Sequence, residues 1–174
     1  MRQLRAGGVI AYPTEAVFGL GCDPFNPEAV GEILKLKNRS TRKGLILIAA
    51  DFGQIEGLLA PLPPDIEAKM LASWPGPTTW IVPASPNTPD HLFTRNRTIA
   101  VRVTAHGLSR SLCSAFGRPI VSTSANPSGR QPARSALKTR RYFPHRSIMY
   151  LPGATGGRTQ PSAIFDALSG ARLR

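Results

Sequence analysis

The sequence predicts an α/β protein built on a twisted, mixed sheet. Short apolar runs alternate with segments of helical periodicity, no long succession of hairpins occurs, and 41% of the 174 residues are hydrophobic, enough for one substantial core. A single domain over residues 1–174 is expected, because a second would have little left to build from.

Residues 7–12 (GGVIAY) are a short apolar run closed by Pro13, the pattern of a buried strand that ends where a loop begins. In the following segment, TEAVFGLGCDPF, Gly19 and Gly21 are expected to allow tight backbone turns. Asn26 before Pro27 reads as a helix start, a capping side chain followed by proline in the first turn. Val30, Ile33, Leu34 and Lys37 share one face of that helix, which carries Lys37 to its end on the side leading to the core. Residues 45–50 (LILIAA) read as a buried strand, and a helix near 65–73 is stopped by Trp74-Pro75-Gly76-Pro77. Strands follow over 79–83 and 99–103, with a helix near 108–116 ended by Gly117. Ile120 and Val121 enter another strand, and the polar run 122–126 sits at its exit. A basic helix over 135–142 and a glycine-rich turn at 153–157 precede a last strand near 163–166. Strand order does not follow from these patterns.

Charge is distributed unevenly. Residues 1–90 carry 8 Lys/Arg against 9 Asp/Glu, whereas residues 91–174 carry 14 against 1, the single acid being Asp166. Cations without local carboxylates face water, phosphate or another chain, so two readings stand: a solvated basic face, or a surface for a polyanion such as a nucleotide or RNA. No stretch approaches the roughly 18–20 apolar residues of a bilayer span, and the start MRQLRAGGVIAYPTE lacks the pattern of a signal peptide. A cytoplasmic location without membrane partners is therefore expected. Cys22 and Cys113 are too few for a disulfide framework, and His91, His106 and His145 share no metal-ligand spacing. No Ser-His-Asp pattern emerges either.

The standard phosphate-binding motifs are absent: there is no GxxxxGK[ST], and the GLG at 19–21 lacks the third glycine and the acidic residue of a dinucleotide site. Another arrangement is visible in KNRSTRK, where Lys37, Arg39, Arg42 and Lys43 crowd at a helix end just before a buried strand. A triphosphate bridged by Mg²⁺ would relieve their mutual repulsion through charge-assisted hydrogen bonds. The alternative is ordinary placement of cations at a helix C-terminus, worth about 0.3–1 kcal/mol each. In VSTSAN, Ser122, Ser124 and Asn126 occupy alternate positions and, in an extended backbone, point to one side. They suit phosphate oxygens or a Mg²⁺ shell, but such clusters also form turns that satisfy their own backbone. Thr14 and Glu15 lie at the end of the first strand, an edge where α/β sheets collect ligands, or they cap their own loop. PGATGG (152–157) reads equally as a phosphate loop or a plain reverse turn.

The segments YPTEAVFGLGCD (12–23), KNR with KGLILIAA (37–50), WPGPTTWIVPA (74–84), AVRVT (100–104), STSAN (122–126) and PSAIFDALSG (161–170), in that order, resemble the TsaC/YrdC family of threonylcarbamoyl-AMP synthases. The resemblance covers about Val9 to Gly170. It implies conversion of L-threonine, bicarbonate or CO₂, and ATP into L-threonylcarbamoyl-AMP with release of pyrophosphate. A separate transferase complex then passes the threonylcarbamoyl group to tRNA. It also implies a basic concave surface able to bind double-stranded RNA or tRNA. By matched position, Lys37, Arg39, Ser124 and Asn126 are expected around the ATP phosphates and Mg²⁺ and to be catalytic. Thr14, Arg102, Ser122 and Ser162 are expected to hold threonine. Lys43 and Arg158 are further phosphate candidates, and Thr98 is a nucleotide candidate. No metal site made by the protein alone is implied. Alanine at Lys37 or Arg39 is expected to abolish turnover while leaving folding nearly unchanged.

Three departures stand out. Ser40 replaces the proline that usually follows KxR, relatives carry a longer helix before the first strand, and the extra C-terminal domain of two-domain relatives is not expected after residue 170. Two other function classes remain: an RNA-binding module without catalysis, and carbamoyl transfer in hydrogenase maturation. The acylphosphatase-like and zinc-finger segments that accompany a similar domain in the latter are absent.

Overall fold

The computed structural model describes residues 1–40 and 44–174. A one-turn helix, α1 (Arg2–Arg5), leads into β1 (Ile10–Pro13), which turns back at once as β2 (Phe18–Gly21). The expected glycine turns are thus a strand, and the glycines serve close packing instead. A Cβ on Gly21 would lie 2.6 Å from the Val121 carbonyl oxygen and 2.8 Å from the Tyr12 ring. Helix α2 (Pro27–Lys37) begins as its sequence requires, with the Asn26 side chain accepting hydrogen bonds from the backbone N–H groups of Glu28 and Ala29. It ends at Asn38, whose left-handed backbone lets its N–H reach back to Leu34 and Lys35.

Strand β3 (Ile46–Ala49), helix α3 (Pro64–Ala72), strands β4 (Thr78–Pro83) and β5 (Thr98–Val103), and helix α4 (Gly107–Phe116) follow. Gly117 ends α4 with φ near +81°, a conformation open to glycine at little cost. Then come β6 (Ile120–Ser124), α5 (Ala136–Tyr142), capped by Ser135, and β7 (Met149–Tyr150), a short strand with too few residues to show a period. The last strand is β8 (Ala163–Asp166). No helix among the described residues is long and apolar enough to cross a membrane.

The eight strands form one sheet in the order β7-β1-β2-β6-β3-β5-β4-β8. Pairing is mixed: β3 and β5, β4 and β8, and β1 and β7 run parallel, and the remaining neighbours run antiparallel. Alternation along each strand divides the side chains between two faces. On one face Leu20, Leu47, Val101 and Val121 join Val30 and Ile33 of α2 and Met70 of α3 in the main core. On the other, Tyr12, Ile48 and Ile120 pack against Cys113 and Phe116 of α4 and Leu4 of α1. Helix α4 covers only part of that second face. One residue pair further along the register, Ser122 lies beside Ile46, Ile46 beside Ala100, and Ala100 beside Ile81, and among the described residues no helix lines the space over this row. The uncovered row is the floor of a cavity.

Candidate active site

The cavity encloses about 240 Å³. Its apolar floor is Ile46, Ile81, Ala100 and Ile164. Around it stand the turn Thr14, Glu15, Ala16 and Val17, the β6 residues Ser122, Thr123 and Ser124, of which Ser122 and Ser124 share the cavity face, and Arg39, Arg102, Arg158 and Arg174. Four cations face a single carboxylate across a low-dielectric floor, an arrangement suited to a ligand carrying several negative charges.

That carboxylate is fully engaged. Arg102 Nη1 donates to Glu15 Oε2 at 3.0 Å, with side-chain exposures of only 7% and 10%, and Thr104 Oγ1 donates to Glu15 Oε1 at 2.7 Å. Burial alone would raise the Glu15 carboxyl, yet the Arg102 charge and the Thr104 hydrogen bond outweigh it and hold the group below the usual carboxylate range. The Glu15 backbone is fixed too: its carbonyl accepts from Arg158 N at 3.0 Å, and Thr14 N donates to the Val17 carbonyl at 3.0 Å. Thr14 Oγ1 closes the same turn by donating to the Val17 carbonyl at 2.7 Å. On the opposite wall Ser162 Oγ and Thr79 Oγ1 lie 2.9 Å apart. Arg174 donates from Nε and Nη2 to the Ser162 carbonyl at 3.2 and 3.0 Å. Burial first, then the Arg102 and Arg39 charges, lower the proton affinity of Arg174.

Lys37 does not line the cavity; it lies directly behind one wall. Its Nζ donates to the carbonyl oxygens of Ser124 and, at 2.7 Å, of Asn126, and Ser128 N donates to the Lys37 carbonyl at 3.0 Å. The end of α2 is thereby tied to the exit of β6. Burial, and secondarily the Arg39 charge, bring the ammonium down from its ordinary 10.5 to about 8, while the two carbonyl acceptors favour the protonated form. Between those values the unfolded chain holds this proton and the folded one releases it, so the Lys37 contribution to stability rises with pH from about 8 to 10.5. Denaturant titrations of the wild-type protein and Lys37→Met across that range should show a smaller rise in the variant.

The other expected residues divide clearly. Arg39, Ser124, Arg158, Thr14, Arg102, Ser122 and Ser162 all line the one cavity. Asn126 does not: beyond the end of β6 the chain turns, Asn126 N meets the Ser124 carbonyl at 2.9 Å, and its Nδ2 donates to the Pro127 and Arg130 carbonyls. Thr98 also stands outside the lining, with its hydroxyl on that of Thr94, which does line it. Lys43 and Arg42 lie outside the described residues. Gln160 and Arg174 are lining residues to which the sequence assigns no binding role, and Glu15 lines the cavity too, a position the sequence leaves open between a ligand-collecting strand end and a self-capping loop. For Glu15 the available signal was its place at a strand end in the PTE segment. For Arg174, which reaches the site by pairing of the terminal segment with Ile164, there was none.

Comparison of the whole chain with known proteins identifies its family. A family model for Sua5, YciO and YrdC, described as telomere recombination, matches residues 2–174. A threonylcarbamoyl-AMP synthase of Methylococcus capsulatus is 54% identical over 98% of this chain and 92% of its own. One of Halorhodospira halophila is 55% identical over 99% and 90%. Among solved structures, P. abyssi Sua5 complexed with L-threonine superposes with a TM-score of 0.86 at 32% identity, over 95% of this chain. This chain spans about half of that one, 48% of its length. E. coli YciO, at 22% identity and a TM-score of 0.83 over 95% of this chain and 80% of that one, shares the fold. With a matching family model over almost every residue and half-identical relatives over nearly their full lengths, the chain belongs to the Sua5/YciO/YrdC family.

Proposed function

We propose that this chain is a single-domain enzyme that makes L-threonylcarbamoyl-AMP from L-threonine, bicarbonate or CO₂, and ATP, releasing pyrophosphate. The observation that carries it is the convergence of two kinds of group on one cavity. Arg39, Arg158 and Ser124 suit phosphates, and Arg102, Thr14, Ser122 and Ser162 suit an amino acid. The names of the half-identical relatives support the same reading.

In this mechanism Arg102 binds the threonine carboxylate and the neutral threonine amine attacks CO₂, the C=O π pair moving onto oxygen and the N–H proton passing to water to leave a carbamate. A carbamate oxygen then attacks the α-phosphorus of ATP. One P–O bond forms as the bond to the bridging oxygen breaks, and pyrophosphate leaves. Both reactants in that step are anions, so the protein's task is to hold them together and offset their repulsion with Arg39, Arg158 and Arg174. No protein nucleophile is needed. Mg²⁺ fits as a companion of ATP: the Ser122 and Ser124 hydroxyls are oxygen donors at the site, whereas the Glu15 carboxylate is taken up by Arg102 and Thr104. Lys37 supports the wall bearing Ser124, and Asn126 supports the turn beyond it. The basic second half of the chain suits tRNA or double-stranded RNA. The product would pass in the cytoplasm to a threonylcarbamoyl transferase complex.

Pure protein incubated with ATP, Mg²⁺ and bicarbonate should release pyrophosphate only when L-threonine is added, and release that ignores threonine would refute the proposal. Arg39→Ala should raise the KM for ATP about tenfold or more with a smaller change for threonine, as expected for the loss of one charge-assisted phosphate contact.

A further inference from the structure

Glu15 is the only acidic side chain among the described residues that line the cavity. An acid beside the group that binds a substrate carboxylate repels that substrate, so its presence calls for a physical reason. Proton transfer is a poor one. Both oxygens are occupied, and the carboxyl is held ionised, which makes it a weak base. Simple charge pairing in the core is also insufficient. A pair kept only for the fold would leave no donor stranded, yet Arg102 Nε is buried with no hydrogen-bond partner among the described residues.

A guanidinium offers two forks, and Glu15 occupies Nη1 alone. The Nε–Nη2 edge remains, in a side chain whose residue is 6% exposed and which lines the cavity. We propose that Glu15, braced by Thr104, is a positioning residue that locks the Arg102 guanidinium with its Nε–Nη2 edge presented to the carboxylate of the amino-acid substrate, for bidentate pairing. Rigidity around Glu15 supports this. Its carbonyl is held by Arg158 N, and Gly156 passes so close that a Cβ there would lie 3.1 Å from Glu15 Cα. The carboxylate therefore has a short, fixed reach to Arg102. Thr104 stands outside the lining and fixes the second oxygen from strand β5's far end. Pre-organisation of this kind removes an ordering cost from substrate binding.

The inference rests on the proposed threonine-activating function, and its test turns on the sign of one effect. In Glu15→Gln the repulsive charge disappears together with the lock. If orientation governs, the threonine KM rises about tenfold while the ATP KM stays within about twofold. If the charge alone mattered, the threonine KM would fall. Thr104→Val removes the brace without touching the cavity and should raise the threonine KM about threefold, a smaller disturbance that serves if Glu15→Gln folds poorly. Chemical rescue supplies a readout that a merely structural residue would not move. Free guanidinium should restore turnover to Arg102→Ala and fail to do so in Arg102→Ala combined with Glu15→Gln. An unchanged or lower threonine KM in Glu15→Gln, equal rises for both substrates, or rescue independent of Glu15 would each overturn the inference. Absence of threonine-dependent pyrophosphate release in the wild-type protein would instead overturn the function on which it rests.

Discussion

Arg102→Ala should lower kcat/KM for threonine by about two to three orders of magnitude, because in the proposed mechanism it removes the partner of the threonine carboxylate, and truncating one member of a buried charge pair costs about 2–5 kcal/mol. The same change should damage the fold. In the wild-type protein the Glu15 carboxylate is buried against Arg102, and removing the cation leaves an uncompensated charge whose cost is about 3–5 kcal/mol. Acid should relieve that cost. The wild-type Glu15 carboxyl is held below its ordinary range, so its contribution to stability is present above the unfolded value and lost as pH falls through the folded one. Without Arg102 the largest influence opposing burial is gone, so the group rises relative to the wild-type protein although the Thr104 hydrogen bond remains, and the variant gains stability relative to the wild type as pH is lowered through the carboxylate range. Denaturant midpoints between pH 4 and pH 8 should therefore converge for the two proteins toward acid, and a gap that is constant with pH would contradict the account.

Lys37→Ala should cost both activity and stability, contrary to the expectation from position alone that the fold would hardly notice. Lys37 is 3% exposed, and its ammonium serves two carbonyls that would otherwise face a void. Losing those donors and the packed stem should destabilise the protein by about 2–4 kcal/mol. The freed exit of β6 carries Ser124, and a displacement of about 1 Å there can cost about a hundredfold in turnover. Lys37→Met keeps most of the packing and removes only the donors. It should recover part of the melting temperature and little of the pyrophosphate release. Recovery of both together would mean that the tether to β6 is unimportant.

Local rules made much of this fold readable. Asn26-Pro27 announces α2 and caps it, Gly117 ends α4, and the apolar runs at 45–50 and 99–103 are the adjacent parallel strands β3 and β5. Misreadings came where tertiary contacts override local preference. Gly19 and Gly21 look like turn residues, yet they lie in a strand because Tyr12 and Val121 press against it. Residues 149–150 are too short to show a period, and only pairing with β1 makes them a strand. Alternation placed Ser122 and Ser124 together correctly and failed at Asn126, one step past the end of β6, where extended geometry no longer holds. Arg174 enters the cavity because the segment after β8 folds back antiparallel onto it, pairing with Ile164 across a short turn that carries no strand-like pattern of its own.

The strand order has a temporal consequence. The cavity draws on residues 14–19, Arg39, residues 44–46, Ala100, Arg102, residues 122–124, Arg158, residues 160–162, Ile164 and Arg174, so segments far apart in sequence must meet before the site exists. During synthesis β8, the last of these strands in chain order, emerges after the other seven. A partly unravelled molecule thus presents no completed cavity. Conversely, ligands that engage the finished site grip both ends of the chain at once, and their binding opposes global rather than local opening.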